Sequence, residues 1–228
     1  MILAVDTCSK FVNCALMADG EIVAESYYNM GLVHSEELLP MIDGLFQRTG
    51  TSPQCLSLLA CTVGPGSFTG IRIGISTVKG MAQALSLPCV GVTALESQAF
   101  NLAFSDSVIV SIIDARNNLL YNSCYRGGSG RLEVIWEAQV SNVEEFDSLL
   151  SGFQRVVFCG SACAVYKDRL LEAARGCGAI APANLNYSRA SNVAVLASMK
   201  QPSSFYAVSP VYLQKSQAER EFDKKSAK

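Results

Sequence analysis

Residues 64–74 read GPGSFTGIRIG and follow the apolar run LSLLACTV directly. A strand that enters a glycine-rich turn and then a helix is the layout in which backbone N–H groups cradle phosphate. The details depart from both standard cradles. A Walker A loop ends in Gly-Lys-Ser/Thr, because the lysine neutralises phosphate and the hydroxyl holds magnesium. Here Gly70 is followed by Ile71. A dinucleotide fingerprint needs G-x-G-x-x-G, and the spacing of Gly64, Gly66 and Gly70 is one residue too long. The competing reading is a tight turn that starts a closely packed helix.

Three other features could do chemistry. Asp6-Thr7 ends the apolar run ILAV, where a carboxylate can hold magnesium and a hydroxyl can touch phosphate. The plain alternative is a turn-capping aspartate. Asp6, Thr7, Gly64 and Gly66 are therefore the candidates for a vestigial nucleotide site. His34 is the single histidine, whereas catalytic zinc or iron takes about three protein ligands, often two of them histidine. A dyad of His34 with Ser67 or Cys8 would be needed for nucleophilic catalysis. The plain alternative is a partly exposed histidine ahead of a helix. The nine cysteines form no Cys-x-x-Cys pair, and most lie in apolar runs, so they read as buried, reduced thiols of a cytoplasmic protein. Cys159 and Cys163 lack the second ligand pair of a zinc site.

These residues must be positioned by a chain of 228 residues, half of them apolar, which is enough for one large domain or two small ones. Charged residues make up 17%, below the usual ~25%. So little charge suggests that a partner covers part of the surface. The net charge of −2 and the lack of a basic cluster outside the last stretch argue against a chain that grips nucleic acid by itself. The opening MILAVDTCSK does not read as a secretory signal, and no apolar run is long enough to span a membrane.

The pattern predicts strands at 2–5, 11–17 and 21–27, the last two joined by an Asp19-Gly20 hairpin turn. A helix over 35–48 follows, kinked or started late by Pro40. A strand at 56–63 then leads through the glycine loop into a helix over 71–86, with a strand at 89–92 and a short helix from Thr93. A similar order recurs from 108: strands at 108–113, 121–126 and 132–140, a helix at 143–150, a strand at 155–159, and helices at 165–175 and 193–200. Asp114-Ala115-Arg116 stands where Asp6-Thr7 stands in the first half, without the hydroxyl. Residues 208–213 read as extended, followed by a highly charged tail. The helix over 71–86 has two non-polar stripes, so two different surfaces must cover it.

The segments ILAVDTCSKFVNCALMADGEIVAE, HSEELLPMIDGLF, VGPGSFTGIRIGISTVKGMAQAL, PCVGVTALE and IIDARNNLLY, with a late PVYL, resemble the TsaB (YeaZ) family from Met1 to about Leu213. The usual third residue of the first motif is Ser; Cys8 stands there and removes a hydroxyl from a position where phosphate would lie. The resemblance implies an α/β, actin-like and sugar-kinase-like ATPase fold (ASKHA). It would have two related lobes, each a mixed sheet of antiparallel meander plus parallel strands with flanking helices. The division expected is 1–104 for the first lobe, 105–204 for the second, and 205–228 for a segment packing back on the first. The resemblance further implies a non-catalytic subunit in forming threonylcarbamoyladenosine beside the anticodon of ANN-decoding tRNAs. It would pair with the larger paralogue TsaD or with itself, recruit the ATPase TsaE and touch tRNA only through the complex, with no cofactor of its own. A nucleotide-dependent enzyme or a peptidase are the alternatives. The docking surface expected comprises Leu38 and Ile42 on the first helix, with Gly70, Gly74, Thr77, Met81 and Ala84 on the second.

Overall fold

The computed structural model describes residues 1–29 and 34–215. Strands β1 (Ile2–Asp6), β2 (Phe11–Ala18) and β3 (Glu21–Asn29) form an antiparallel meander. Asp19 and Gly20 both take positive φ at its second turn, as a type I′ hairpin requires. Helix α1 (His34–Thr49) leads to β4 (Leu58–Thr62), which pairs parallel with β1. Helix α2 (Phe68–Leu85) leads to β5 (Cys89–Val92), parallel to β4, and α3 (Ala94–Phe100) follows. The second half repeats the plan with β6 (Val108–Asp114), β7 (Leu119–Gly128), β8 (Arg131–Asn142), α4 (Phe146–Leu149), β9 (Val156–Cys159), α5 (Cys163–Ala173), β10 (Gly178–Ile180) and α6 (Ala190–Ser198). The sheets run β3-β2-β1-β4-β5 and, read from the same end, β8-β7-β6-β9-β10, so the second order is the first with five added to each strand number. This is the duplicated α/β plan, a meander plus parallel strands in each half, that the sequence predicts.

The central strands are buried on both faces, which explains their unbroken apolar runs. On one face of the first sheet, Leu3, Val5, Cys14 and Leu16 meet Leu38, Ile42 and Leu45 of α1 and Ile71, Ile75 and Val78 of α2. On the other face, Ala4, Ala15 and Ala60 meet Ala190, Ala194 and Ala197 of α6, where small side chains on both sides let the helix approach closely.

Several expectations are corrected. Helix α6 comes late in the chain yet covers the first sheet, while α3 comes early and lies on β6, β7 and β8. Each half thus lends a helix to the other's sheet. Helix α1 runs through Pro40 without a break. Pro40 is on the exposed side, where the carbonyl it deprives of a donor, that of Glu36, can be hydrated. The three-residue β10, whose GAI is too short to show a period, is an addition. Ahead of residues 208–213, which were expected to be extended and carry neither helix nor strand, the chain pairs at Ser203 with Cys89. It then lays Val208 in the first core, bonds Val211 N–H to Val63 O at 2.7 Å and reaches Leu213, which packs by Leu95, Ala115 and Tyr121. The tail beyond 215 lies outside the described residues.

Candidate functional site

The glycine loop and the turn after β1 are built against one another. Gly66 has φ +158, and a side chain there would run into the carbonyl oxygen of Cys8. A Cβ on Gly70 would overlap the carbonyl oxygen of Thr7, and one on Gly74 the Thr7 hydroxyl. Ser67 N–H donates to Cys8 O at 2.8 Å, and Thr7 Oγ1 donates to Gly70 O at 2.7 Å. Gly64 is pressed from the other side, where its Cβ would stand 2.7 Å from Val211 O. Gly64, Gly66 and Gly70 admit the chain's own backbone, and Gly74 the Thr7 hydroxyl, at distances that a side chain would forbid.

Asp6 is fully buried beside that contact. Its Oδ1 accepts from Cys8 N–H at 2.9 Å and from Thr62 Oγ1 at 2.6 Å. The Cys8 thiol donates in turn to Thr62 Oγ1 at 3.0 Å. Burial, and next the Asp6 carboxylate, push the Cys8 thiol well above its ordinary range, so it stays protonated. Asp6 Oδ2 makes no hydrogen bond. The Ser67 hydroxyl caps α2 by accepting from Gly70 N–H at 3.2 Å. Asp6, Thr7, Gly64 and Gly66 thus lie together, with the Thr7 hydroxyl and the Cys8 N–H bonded within the fold.

His34 is corrected from a partly exposed residue to a buried one, 3% exposed, with Nε2 at 2.8 Å from Ser9 O. The dyads with Ser67 or Cys8 do not form: Ser67 caps a helix and Cys8 bonds to Thr62. All nine cysteines are free thiols, and Cys55 alone is exposed. Among the described residues, no cluster of three His, Cys, Asp or Glu side chains could hold a metal. Nor is any described helix long and apolar enough to cross a membrane.

The residues of the expected docking surface lie at different depths. Leu38 and Ile42 are 1% and 3% exposed inside the first core. Gly70 and Gly74 face Thr7, not an outside partner. Thr77 and Met81 are half-buried and Ala84 is exposed. The surface that α1 and α2 do present carries Leu39, 57% exposed, and Pro40 from α1, and Ser76, Gly80 and Ala84 from α2. The outward glycines are Gly44 and Gly80, whose Cβ positions have no heavy atom within 4 Å. Ser76, Gly80 and Ala84 recur every fourth residue, and that small-residue spacing was the signal available in the sequence. The stripe chosen there lay to one side because its phase depends on which stripe meets Thr7.

The family model of TsaD, tRNA N6-adenosine threonylcarbamoyltransferase, matches residues 29–222. The tRNA threonylcarbamoyladenosine biosynthesis protein TsaB of Bacillus subtilis (strain 168) is 30% identical over 219 residues, 96% of this chain and 96% of that one. TsaB of Escherichia coli (strain K12) is 35% identical over 127 residues, covering 55% of this chain and 54% of its own length. Among solved structures, YeaZ from Pseudomonas aeruginosa superposes with TM-score 0.80 at 24% identity, covering 93% of this chain and 99% of its own, a likeness of fold. With a family model spanning most of its length and a full-length relative of the same name, the chain belongs to the TsaB (YeaZ) branch of the threonylcarbamoyladenosine family.

Proposed function

We propose that this chain is a non-catalytic subunit of the cytoplasmic assembly that forms threonylcarbamoyladenosine on tRNA. Its work is to bind and hold a TsaD-like paralogue, and through that pair a TsaE-like ATPase; a second copy can take the paralogue's place. One observation carries the reading: Thr7 and Cys8 backbone fills the space that Gly66 and Gly70 open, so the fold's nucleotide cradle is closed from within. What remains for a partner is the outer face of α1 and α2, where Leu39, Thr77, Met81, Gly80 and Ala84 offer apolar and small side chains. Small residues let a second pair of helices approach to short interaxial distance. The test is reconstitution with the paralogue, the ATPase, threonylcarbamoyl-adenylate and tRNA. Omission of this chain should abolish modification, and equal modification without it overturns the reading. Calorimetry with magnesium and ATP on the chain alone should give no heat below millimolar concentrations; micromolar binding would restore the nucleotide-enzyme reading.

A further inference from the structure

Residues 203–214 carry neither helix nor strand beyond a single bridge, yet they are tied to both halves of the molecule. Ser203 exchanges two backbone hydrogen bonds with Cys89 on the outer edge of β5, at 2.8 and 2.9 Å. Val208 is buried in the core beneath α1 and α2, and Val211 N–H donates to Val63 O at 2.7 Å. The Val211 carbonyl lies over Gly64, where a Cβ would stand 2.7 Å from it. Tyr212 then stacks on Phe68 of α2, with centroids 4.6 Å and planes 8° apart, and its hydroxyl accepts from Arg72 Nε at 2.9 Å. The next two residues turn to the second half. Leu213 packs against Leu95, Ala115 and Tyr121, and Gln214 Oε1 accepts from the Tyr121 hydroxyl at 3.4 Å. Successive side chains of an extended chain point to opposite sides, so Tyr212 and Leu213 grip different halves.

The halves are also joined along a seam between α3 and α6. Gln98 Nε2 donates to Ser111 Oγ at 2.8 Å and to Cys159 O at 3.0 Å. Asn192 Nδ2 donates to Asn101 Oδ1 at 2.7 Å and to Ser97 O at 2.9 Å. Helix α6 covers one face of the first sheet, whereas Val208 and Val211 join α1 and α2 on the other. The seam and the segment therefore restrain the halves from opposite faces of that sheet. They differ in strength. The seam is two packed helices with buried hydrogen bonds, while the segment reaches the second half through Leu213 and Gln214. A chain without a ladder of its own opens at lower free energy than packed helices and strands.

We propose that residues 208–214 are a latch. Closed, it holds the glycine loop and the turn after β6 together; open, it lets the two halves turn about the α3–α6 seam. This goes beyond the partner role, because the latch sets the angle between the halves in the chain alone.

The test is single-molecule energy transfer in the full chain, between labels carried as unnatural amino acids at the exposed Thr69 of α2 and Asp147 of α4. Hydrogen exchange with peptide mapping accompanies it. The wild-type chain should give one narrow distance. Leu213→Asp sets a charge against Leu95 and Tyr121 and should add a second population at a different distance. Exchange of the 208–214 peptide should rise roughly tenfold or more, while α3 and α6 keep their wild-type protection. Tyr212→Ala, at a residue already 39% exposed, should act in the same direction with a smaller population and covers the case in which the charged variant does not fold. An unchanged single distance in the folded variants would overturn the proposal and leave the segment a passive cover. Faster exchange spread equally over α3 and α6 would also overturn it, because the segment would then be part of one common core.

Discussion

The two halves of the molecule share a strand order but close their first turns differently. In the first half, Asp6 is buried, caps Cys8 N–H, and lies under a glycine loop that touches Thr7 and Cys8. In the second, Asp114 caps Arg116 N–H at 2.8 Å in the same i to i+2 manner but is exposed. The glycine after β9, Gly160, still has positive φ and presses on Ile112 O, so the close approach after the fourth strand is common to both halves. The duplicated fold therefore requires a glycine there whether or not phosphate is bound. The burial of the carboxylate is a property of the first half alone.

The largest effect should come from breaking that approach. Gly70→Ala puts a methyl group onto Thr7 O, which is backbone and cannot swing away, so a loss of about 4 kcal/mol or more is expected in urea unfolding. Trp136 lies in β8 of the second sheet, with its Nε1–H bonded to Asn122 Oδ1. If the halves fold as one unit, its fluorescence transition moves together with far-UV circular dichroism; separate shifts would show that they fold independently.

Next in size is a loss at alkaline pH, which both halves should share. Burial pushes the thiols of Cys14, Cys61, Cys124 and Cys163 up to about 12. In the unfolded chain these groups ionise near pH 9, while in the folded chain they stay protonated. The unfolded state thus binds fewer protons above that pH, and stability falls as pH rises towards 12. Each pH unit well above 9 is worth ~1.4 kcal/mol per thiol and less near pH 9, so unfolding at pH 8 and at about pH 9.5 should differ by about 3 kcal/mol summed over the four thiols. A flat profile would deny the burial.

Removing the two aspartates should separate the halves again. Asp6→Ala leaves Cys8 N–H and the Thr62 hydroxyl buried without their acceptor, at a cost of about 2 kcal/mol. Asp114→Ala removes an exposed cap and should cost well under about 1 kcal/mol. Equal costs would mean that burial is not what distinguishes the turns. The smallest effect belongs to the outer side of α2: Gly80→Ala meets open space and should stabilise by roughly 0.4–1 kcal/mol, the opposite sign to Gly70→Ala ten residues earlier.

Much of this was legible in the sequence, because the information was local. The Asp19-Gly20 turn, the buried strands without polar alternation, and the failure of the glycine loop to match a cradle all follow from residue type and spacing. The exchange of α3 and α6 between the sheets was not legible, since amphipathic pattern says that a helix must be covered but not by which sheet. The surroundings of the α2 glycines were not legible for a related reason: glycine carries no hydrophobic signal, so Gly74 against Thr7 and Gly80 against open space look alike. The latch joins residues 208–214 to the glycine loop and to the turn after β6, and no spacing rule links positions so far apart.

The most direct measurement of the central claim uses Gly80→Glu. The chain should stay folded as a monomer, with an unfolding midpoint no lower than wild type, because the new side chain meets nothing of its own fold and a helical glycine is replaced. Mixed with the TsaD-like paralogue, the wild-type chain should co-elute as a heterodimer on gel filtration with light scattering, and Gly80→Glu should elute alone. A heterodimer formed equally well by the folded variant would contradict the claim that this chain acts through the outer face of α1 and α2.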